Sequence, residues 1–341
     1  MCDCCCRCRG SLKKLPQLPR LDLRVPNWSL NRVTPRNCPL CGEGHEPSFL
    51  RPDGLPVAWC PDCAVWYLSS LPPTAEIDQV YQGYWHSFRP RDLSAGYARG
   101  LVTNPDLLRP DFRLNRLIAL TGGLRGWHLL DVGCGCGEFL AKARHHGAEV
   151  VGNDVSAEAC AFVQEHLSIP VMPGLLRSGP FLEAHGTVDI VVMSDVIEHP
   201  AEPLALLREA LAVLRSGGLL LLLTPNGGEA GESAETARYW DGFRVDLEHL
   251  QYFSPEAMVR LAAKLDCRLE HLETLGVLSH VDFRPNPSGA TGTGRKRAPG
   301  WLRDLLRPLA RFTRTLRRAF SAPPPDPRAG SYNLFAILRK M

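Results

Sequence analysis

One glycine-rich turn constrains the fold of this chain more than any other feature. The apolar segment 127–132 leads into three glycines at alternate positions, Gly133, Gly135 and Gly137, and a helical pattern starts at Glu138. Glycine lets the backbone turn sharply and approach a ligand closely, and a helix N-terminus presents N–H groups that have no intrahelical partner. The segment is therefore predicted to form a strand, a ligand-binding turn and a helix.

Two carboxylates near this turn indicate what the ligand is. Asp154 ends the next predicted strand, where a carboxylate can accept hydrogen bonds from both hydroxyls of a ribose. A dinucleotide fingerprint would place its third glycine at the position of Glu138, and Asp131 would repel a pyrophosphate while attracting a cation such as an ammonium or sulfonium. A nucleoside ligand with a cationic group is expected, and a tight turn without a ligand is the other interpretation.

Short apolar runs alternate with helical patterns from about 127 to 224, and two further strand candidates follow at 268–278 and 332–339. This alternation predicts an α/β fold with a doubly wound parallel sheet.

The D-x-G-x-G-x-G pattern of 131–137 resembles motif I of the class I S-adenosylmethionine (SAM)-dependent methyltransferases. Segments 188–200 and 214–219 resemble the fourth strand with its loop and the turn into the fifth strand of that family. The resemblance covers 127–278 and 332–339, and it implies a Rossmann-like seven-stranded sheet whose last strand is antiparallel. The adenine-contacting acid of the family has no counterpart in 171–178.

The resemblance also implies SAM as the cofactor and a set of residues that bind it. These residues are Asp131, Gly133, Gly135, Gly137, Asp154, Ser194 and Asp195. Methyl transfer from a sulfonium mainly requires alignment, and a general base is needed only when the acceptor is an un-ionised hydroxyl or a similar acid. His199 and His249 both follow predicted strand ends and are the candidates for that base, and a surface or packing role for either stays open.

The segment Asp195-x-x-Glu198-His199 resembles the acid-x-x-Glu-His of ubiquinone-pathway O-methyltransferases, in which that loop is linked to a divalent metal. Asp195 stands where that pattern has Glu, so a metal at this loop is ranked below the zinc site that follows.

Four cysteines, Cys38, Cys41, Cys60 and Cys63, form two C-x₂-C pairs with the spacing of a zinc ribbon. Four thiolates complete a tetrahedral site, so the zinc would be structural. A ribbon that precedes Tyr81, Tyr84, Trp85 and the methyltransferase motif resembles bacterial sugar C-methyltransferases and enzymes of polysaccharide or natural-product pathways. The three aromatic residues are expected over the cofactor or acceptor, or alternatively between the ribbon and the sheet.

Charge is segregated along the 341 residues. Residues 1–36 carry eight basic and two acidic side chains, residues 284–341 carry thirteen and two, and the stretch between them is net acidic. An acidic body disfavours a nucleic-acid substrate, because phosphate binding needs clustered Lys and Arg. Segment 295–320 has helical apolar spacing beside an arginine stripe, which predicts contact with an anionic membrane, a helix packed on the protein or, third, contact with RNA.

The expected organisation has four parts: a flexible Cys/Arg-rich tail (1–37), a zinc ribbon (38–72), a helical connector or lid (73–126), and a methyltransferase domain (127–341) with a basic amphipathic insertion at 284–330. No apolar run is long enough to span a bilayer and no signal peptide is recognised, so a cytoplasmic location with peripheral membrane contact is expected. The expected function is methyl transfer to a small-molecule, sugar or glycan-precursor acceptor. RNA methylation and non-catalytic SAM binding are the alternatives.

Overall fold

The computed structural model describes residues 15–20, 26–82, 94–276 and 331–341. Tyr84, Trp85, the cysteines at positions 2 to 8 and the amphipathic segment 295–320 lie outside the described residues. Within the described part of the chain, no helix is long and apolar enough to cross a membrane.

Thirteen strands and nine α-helices occupy the described ranges. The strands are β1 Thr34–Pro35, β2 Phe49–Leu50, β3 Pro56–Cys60, β4 Val65–Leu68, β5 Ser70–Leu71, β6 His128–Val132, β7 Glu149–Asp154, β8 Val171–Pro173, β9 Val188–Ser194, β10 Leu214–Pro225, β11 Gln251–Phe253, β12 Cys267–Leu275 and β13 Asn333–Lys340. The helices are α1 Thr74–Gln82, α2 Ala95–Thr103, α3 Phe112–Thr121, α4 Glu138–His145, α5 Ala157–Leu167, α6 Ser178–His185, α7 Pro203–Val213, α8 Ala234–Ala237 and α9 Pro255–Lys264. Two short 3₁₀ turns lie at Gly227–Ala230 and Asp241–Phe243.

The central sheet has seven strands in the order β12-β13-β10-β9-β6-β7-β8. Strands β8, β7, β6, β9 and β10 are parallel, and β13 lies antiparallel between β10 and β12. The predicted doubly wound sheet with an antiparallel last strand is confirmed.

The middle of this sheet is apolar along its whole length rather than in alternation. Leu219–Leu222 of β10 and Ile190–Met193 of β9 are fully buried. A strand that is covered by helices on both faces is apolar at every position, as in other parallel sheets. Two hydrophobic clusters, one on each face, follow from this arrangement.

A second sheet joins the cysteine-rich region, residues 38–72, to the body of the protein. Its order is β11-β4-β3-β2, and Tyr252 in β11 pairs with Trp66 in β4. One strand of this small sheet therefore comes from a segment about 190 residues further along the chain than its neighbour.

The described part of 1–37, a stretch predicted as a flexible tail, contacts the small sheet. Leu18 and Trp28 are buried, and Trp28 Nε1 donates a hydrogen bond to the Asp53 carboxylate at 2.8 Å. Strand β1 pairs with β5. These apolar side chains cover the edge of the small sheet. Because they are spaced without periodicity, a search for regular patterns does not detect this packing.

Candidate active site

The three glycines after β6 form a turn in which the backbone of any other residue would be strained. Gly133, Gly135 and Gly137 have φ of 72°, 53° and 76°. A Cβ at Gly133 would lie 2.6 Å from Val196 Cγ2, and one at Gly137 would lie 2.8 Å from Leu167 Cδ1. The turn therefore requires glycine for its conformation and for close packing.

Asp154, at the end of β7, supports this turn with its carboxylate. Its Oδ2 accepts a hydrogen bond from the Gly135 N–H at 2.8 Å, and its Oδ1 accepts one from the Ser156 N–H at 2.8 Å. Burial raises the pKa of Asp154, and the two N–H donors oppose that shift. Each carboxylate oxygen keeps a second lone pair, so Asp154 can still accept two hydroxyl donors.

Apolar surface lies next to Asp154 where the sequence shows no adenine-contacting acid. The Gly174 N–H donates to the Asp154 carbonyl at 2.8 Å, which brings the loop after β8 beside the end of β7. Val155 and Leu175 are 43% and 60% exposed. Two exposed aliphatic side chains beside Asp154 form a surface on which the faces of a purine can pack.

Asp131 is a buried acid at the end of β6. Burial raises its pKa to about 7, although Arg113 acts in the opposite direction. Asp154 and Asp111 add to the upward shift. A cation bound beside Asp131 would remove the cost of its ionisation.

Arg113 is a site residue that the sequence reasoning missed. Its Nη1 donates to Ser194 Oγ at 2.9 Å, its Nη2 donates to Asp111 Oδ2 at 2.6 Å, and its guanidinium lies 4.7 Å from the centre of the Phe139 ring. Helix α3 thus brings a fixed positive charge next to two predicted cofactor residues, Ser194 and Asp195. Asp111 caps α3, so the Asp-x-Arg at its start was the available signal.

Asp195 follows β9 with a φ of 53°, a left-handed conformation that is uncommon outside glycine. Its N–H donates to the Leu223 carbonyl at 2.8 Å, and its charge contributes to raising the pKa of Arg113, after Asp111 and Asp131 and against the effect of burial. The strained backbone keeps this acid beside Arg113.

His199 and His249, although 50 residues apart in the sequence, are neighbours in the structure, with ring centres 4.7 Å apart. Tyr81 Oη lies 2.9 Å from His199 Nδ1, and it also donates to the Glu248 carbonyl at 3.1 Å. Of the three aromatic residues predicted at the site, Tyr81 is therefore in contact with a candidate base.

Both imidazoles are neutral at physiological pH. Burial lowers the pKa of His199 to about 4. Burial also lowers the pKa of His249 well below its ordinary value, and His199 and Arg51 add to the effect. A neutral imidazole can accept a proton, so each histidine has the protonation state of a base.

Glu198 completes the cluster. Its Oε2 accepts a hydrogen bond from Thr224 Oγ1 at 2.9 Å, while its buried Oε1 and the buried His249 Nδ1 have no hydrogen-bond partner. Burial, with Asp195, raises the pKa of Glu198 well above its ordinary value.

Glu198, His199 and His249 each offer a ligand atom within 4.8 Å of the others, which suits a divalent metal. Two histidines and one carboxylate are a donor set found in catalytic zinc sites. The sequence pattern pointed to Asp195, Glu198 and His199, and His249 joins the group from a distant part of the chain.

The four cysteines form the other group that could hold a metal. The Sγ atoms of Cys38, Cys41, Cys60 and Cys63 lie within 4.8 Å of one another, and those of Cys41 and Cys60 are 3.7 Å apart. Tetrahedral zinc with bonds of about 2.3 Å places its sulfurs about 3.8 Å apart. Burial raises the pKa of Cys60 to about 12, a cost that a bound cation would offset.

A family described as "methyltransferase domain" matches residues 85–272. The ubiquinone biosynthesis O-methyltransferase of Sodalis glossinidius is 32% identical over 164 residues, which are 45% of this chain and 58% of that protein. The enzyme of that name from Vibrio parahaemolyticus is 31% identical over 119 residues, or 33% of this chain and 50% of that protein. The chain spans about half the length of the curated relatives it matches.

Two solved structures resemble this chain. A SAM-dependent methyltransferase from Archaeoglobus fulgidus is 20% identical, with 67% of this chain and 91% of that chain covered and a TM-score of 0.42. A SAM-dependent methyltransferase from Mesorhizobium loti is 16% identical, with 68% and 100% covered and a TM-score of 0.42.

Proposed function

The chain belongs to the methyltransferase-domain family, and on that premise we propose that it transfers a methyl group from SAM to a hydroxyl of a small-molecule acceptor. The observation that carries the hydroxyl is a pair of neutral imidazoles, the half-buried His199 and the buried His249, whose ring centres lie 4.7 Å apart. Only an acceptor that must lose a proton needs such a base. The curated relatives named above, which methylate oxygen according to their names, support the same choice.

The residues around the glycine turn suit each part of SAM. Asp154 would accept the ribose hydroxyls, and Val155 with Leu175 would cover the adenine. Asp131 and Arg113 carry opposite charges, which complement the ammonium and the carboxylate of the methionine portion. The cofactor would thus be held by charge at one end and by apolar contact at the other.

In the transfer, the acceptor oxygen forms a bond to the methyl carbon while the bond from that carbon to sulfur breaks. The electron pair of the broken bond stays on sulfur, which becomes the neutral thioether of S-adenosylhomocysteine (SAH), and the hydroxyl proton passes to an imidazole nitrogen. His249 is the better placed base, because its Nδ1 is buried and without a hydrogen-bond partner, whereas His199 Nδ1 is paired with Tyr81. The protein otherwise has to align oxygen, carbon and sulfur.

A divalent metal fits the same cluster. Glu198, His199 and His249 would hold it, and the partnerless Glu198 Oε1 and His249 Nδ1 are atoms that a cation would satisfy. A bound divalent metal lowers the pKa of an oxygen that it contacts. These residues serve proton removal in either case, directly or by holding a cation.

The acceptor class stays a proposal: a phenolic metabolite, a sugar or a glycan precursor. Burial raises the pKa of Tyr332, and Asp246, Asp195 and Glu198 raise it further. Acids therefore lie near this described residue, which suits a neutral, hydroxyl-bearing molecule better than the phosphate backbone of RNA.

Labelled SAM, incubated with small-molecule, lipid-linked glycan and RNA fractions of a cell extract, tests the function. We expect label in one of the first two fractions and much slower labelling by His249→Ala, with SAH binding retained in calorimetry. Label in RNA, with steep salt dependence, would replace the proposed acceptor class. SAH binding without transfer to any fraction would indicate a non-catalytic SAM-binding protein, and absence of SAH binding would reject both functions.

A further inference from the structure

Arg51 is a fully buried arginine in the small sheet region, directly after β2. All five of its N–H groups are engaged. Nε and Nη2 donate to the Asp53 carboxylate at 3.2 and 2.5 Å, Nη1 donates to the His249 carbonyl at 2.6 Å and to Tyr252 Oη at 2.8 Å, and Nη2 also donates to the Leu247 carbonyl at 2.7 Å.

Three of these five bonds cross from the cysteine-rich region to the segment that carries a candidate base. The carbonyls of Leu247 and His249 flank Glu248, whose own carbonyl accepts the Tyr81 hydroxyl. Three successive peptide carbonyls are therefore held by side chains that come from before residue 83. The position of His249 is set from outside the methyltransferase fold.

The held segment has an irregular backbone that would not keep this shape by itself. Asp246 has a φ of 48°, in the left-handed region. The His249 N–H returns to the Asp246 carbonyl, and the Leu250 N–H donates to the Glu198 carbonyl at 2.8 Å. A strained turn persists when its surroundings fix it, and such turns are common at functional sites.

The charge of Arg51 is balanced locally. The Asp53 carboxylate also accepts hydrogen bonds from Trp28 Nε1 and the Leu55 N–H. A lysine has three donors on one atom and cannot match five partners in a plane, so the arginine fork is required here. A packing role alone would need no such set of carbonyl contacts, because the apolar cluster around Trp66 already joins the two parts.

We propose that Arg51 is a positioning residue for the methyl transfer: it fixes the His249 backbone so that the imidazole faces the acceptor hydroxyl. The inference rests on the proposed function, in which His249 takes the acceptor proton. The cysteine-rich region then contributes to the active site through Arg51.

Hydrogen exchange of the full chain tests the positioning without any acceptor. Arg51→Lys and the charge-balanced pair Arg51→Met/Asp53→Asn are compared with the wild type, and Arg260→Met is the matched control. Arg260 joins α9 to the carbonyls of Pro61 and Asp62 and touches no carbonyl of 247–249. We expect amides of 248–252 to exchange at least about ten-fold faster in the Arg51 variants and at the wild-type rate in Arg260→Met. Equal exchange in the wild type and both Arg51 variants, or an equal increase in the control, would overturn the proposal.

Measurements of kcat and KM test whether Arg51 acts through His249. In the fraction that the wild type methylates, the Arg51 pair variant should lower kcat by about ten-fold or more with KM for SAM unchanged, and Arg51→Lys should recover part of the loss. Added to His249→Ala, it should lower kcat no further. A further loss in that background would show a general structural role and contradict the proposal. If the wild type transfers no methyl group, the proposed function fails while the exchange measurement still decides the positioning.

Discussion

At the scale of single residues, an acidic and a basic side chain lie near each other at the end of the central sheet. Asp131 is buried, and Arg113 is fixed by Asp111 and Ser194. Neither charge fully neutralises the other, because burial keeps the pKa of Asp131 at about 7 despite the nearby guanidinium. The arrangement therefore suits a ligand that carries both signs.

The affinity for SAM should follow the ionisation of Asp131. A cationic ligand favours the carboxylate, so a proton must leave first below pH 7, and the affinity should rise with pH up to about 7 by at most about ten-fold per unit. Calorimetry from pH 5.5 to 8.5 measures this dependence, and Asp131→Asn should bind more weakly with a flatter profile. An affinity that is independent of pH in the wild type would contradict the assignment of Asp131.

The stability of the unliganded protein should change in the opposite direction. The pKa of Asp131 lies above its ordinary value of 3.8, so between that value and about 7 the folded state binds more protons than the unfolded state. The contribution of this carboxyl to the free energy of unfolding is therefore greatest at low pH and is lost as pH rises toward 7. Chemical unfolding at pH 5 and pH 7.5, with Asp131→Asn as the reference, measures the difference. An equal change with pH in both proteins would assign the effect to other groups.

Gly133 allows a matched test of the glycine turn. In Gly133→Ala, the new Cβ meets Val196 and the φ of 72° is strained, so SAH binding should weaken at least about ten-fold and the melting temperature should fall. Gly122, at the end of α3, has a φ of 74° but open space around its Cβ position, and Gly122→Ala should lose only about 1 kcal/mol and bind SAH normally. Equal SAH affinity in the two variants would mean that the turn does not shape the cofactor site.

At the scale of elements, local sequence patterns predicted the strands that carry the proposed cofactor residues, whereas contacts between distant segments placed the other side chains of the site. The glycine turn and Asp154 were recognisable because each depends on a few consecutive residues. Arg113 was not, since its role depends on how α3 packs against the end of β9. The pairing of β11 with β4 was equally invisible, because its partners are about 190 residues apart in the sequence.

The four-cysteine group is expected to stabilise the element pair β3–β4 through one zinc ion per chain. Cys41→Ser/Cys60→Ser should lose the ion in elemental analysis and lower the free energy of unfolding by about 3 kcal/mol or more, which lowers the melting temperature by at least about 6 °C. Cys267→Ser is the control, because Cys267 lies in β12 outside the group and should keep both values. Well under one zinc per wild-type chain, or an unchanged melting temperature in the double variant, would reject the zinc site.

At the scale of the whole molecule, the most basic part of the chain is connected to the protein near the candidate site. Segment 295–320 carries nine basic side chains and one acidic one. The described residues that bracket 277–330 meet at one place: the Tyr332 N–H donates to the Gly276 carbonyl, and Asn226 Nδ2, just after β10, donates to the Ser331 carbonyl. Both ends of that stretch therefore join the body at the edge of the sheet where the site lies.

A basic stretch whose two ends lie near the candidate site suits an acceptor that is presented at an anionic membrane surface. We expect the protein to co-sediment with vesicles that contain phosphatidylserine at low salt and to release at high salt, because each Lys or Arg near such a surface contributes about 1 kcal/mol and screening removes it. Vesicles of phosphatidylcholine alone are the lipid control. Deleting 295–320 should abolish co-sedimentation but leave SAH affinity unchanged, since the residues proposed to bind the cofactor lie in or directly after β6 and β7, and in α3. If the deletion variant still co-sediments, the contact lies elsewhere; if the wild type never does, the basic stretch serves another purpose and the acceptor must reach the site from solution.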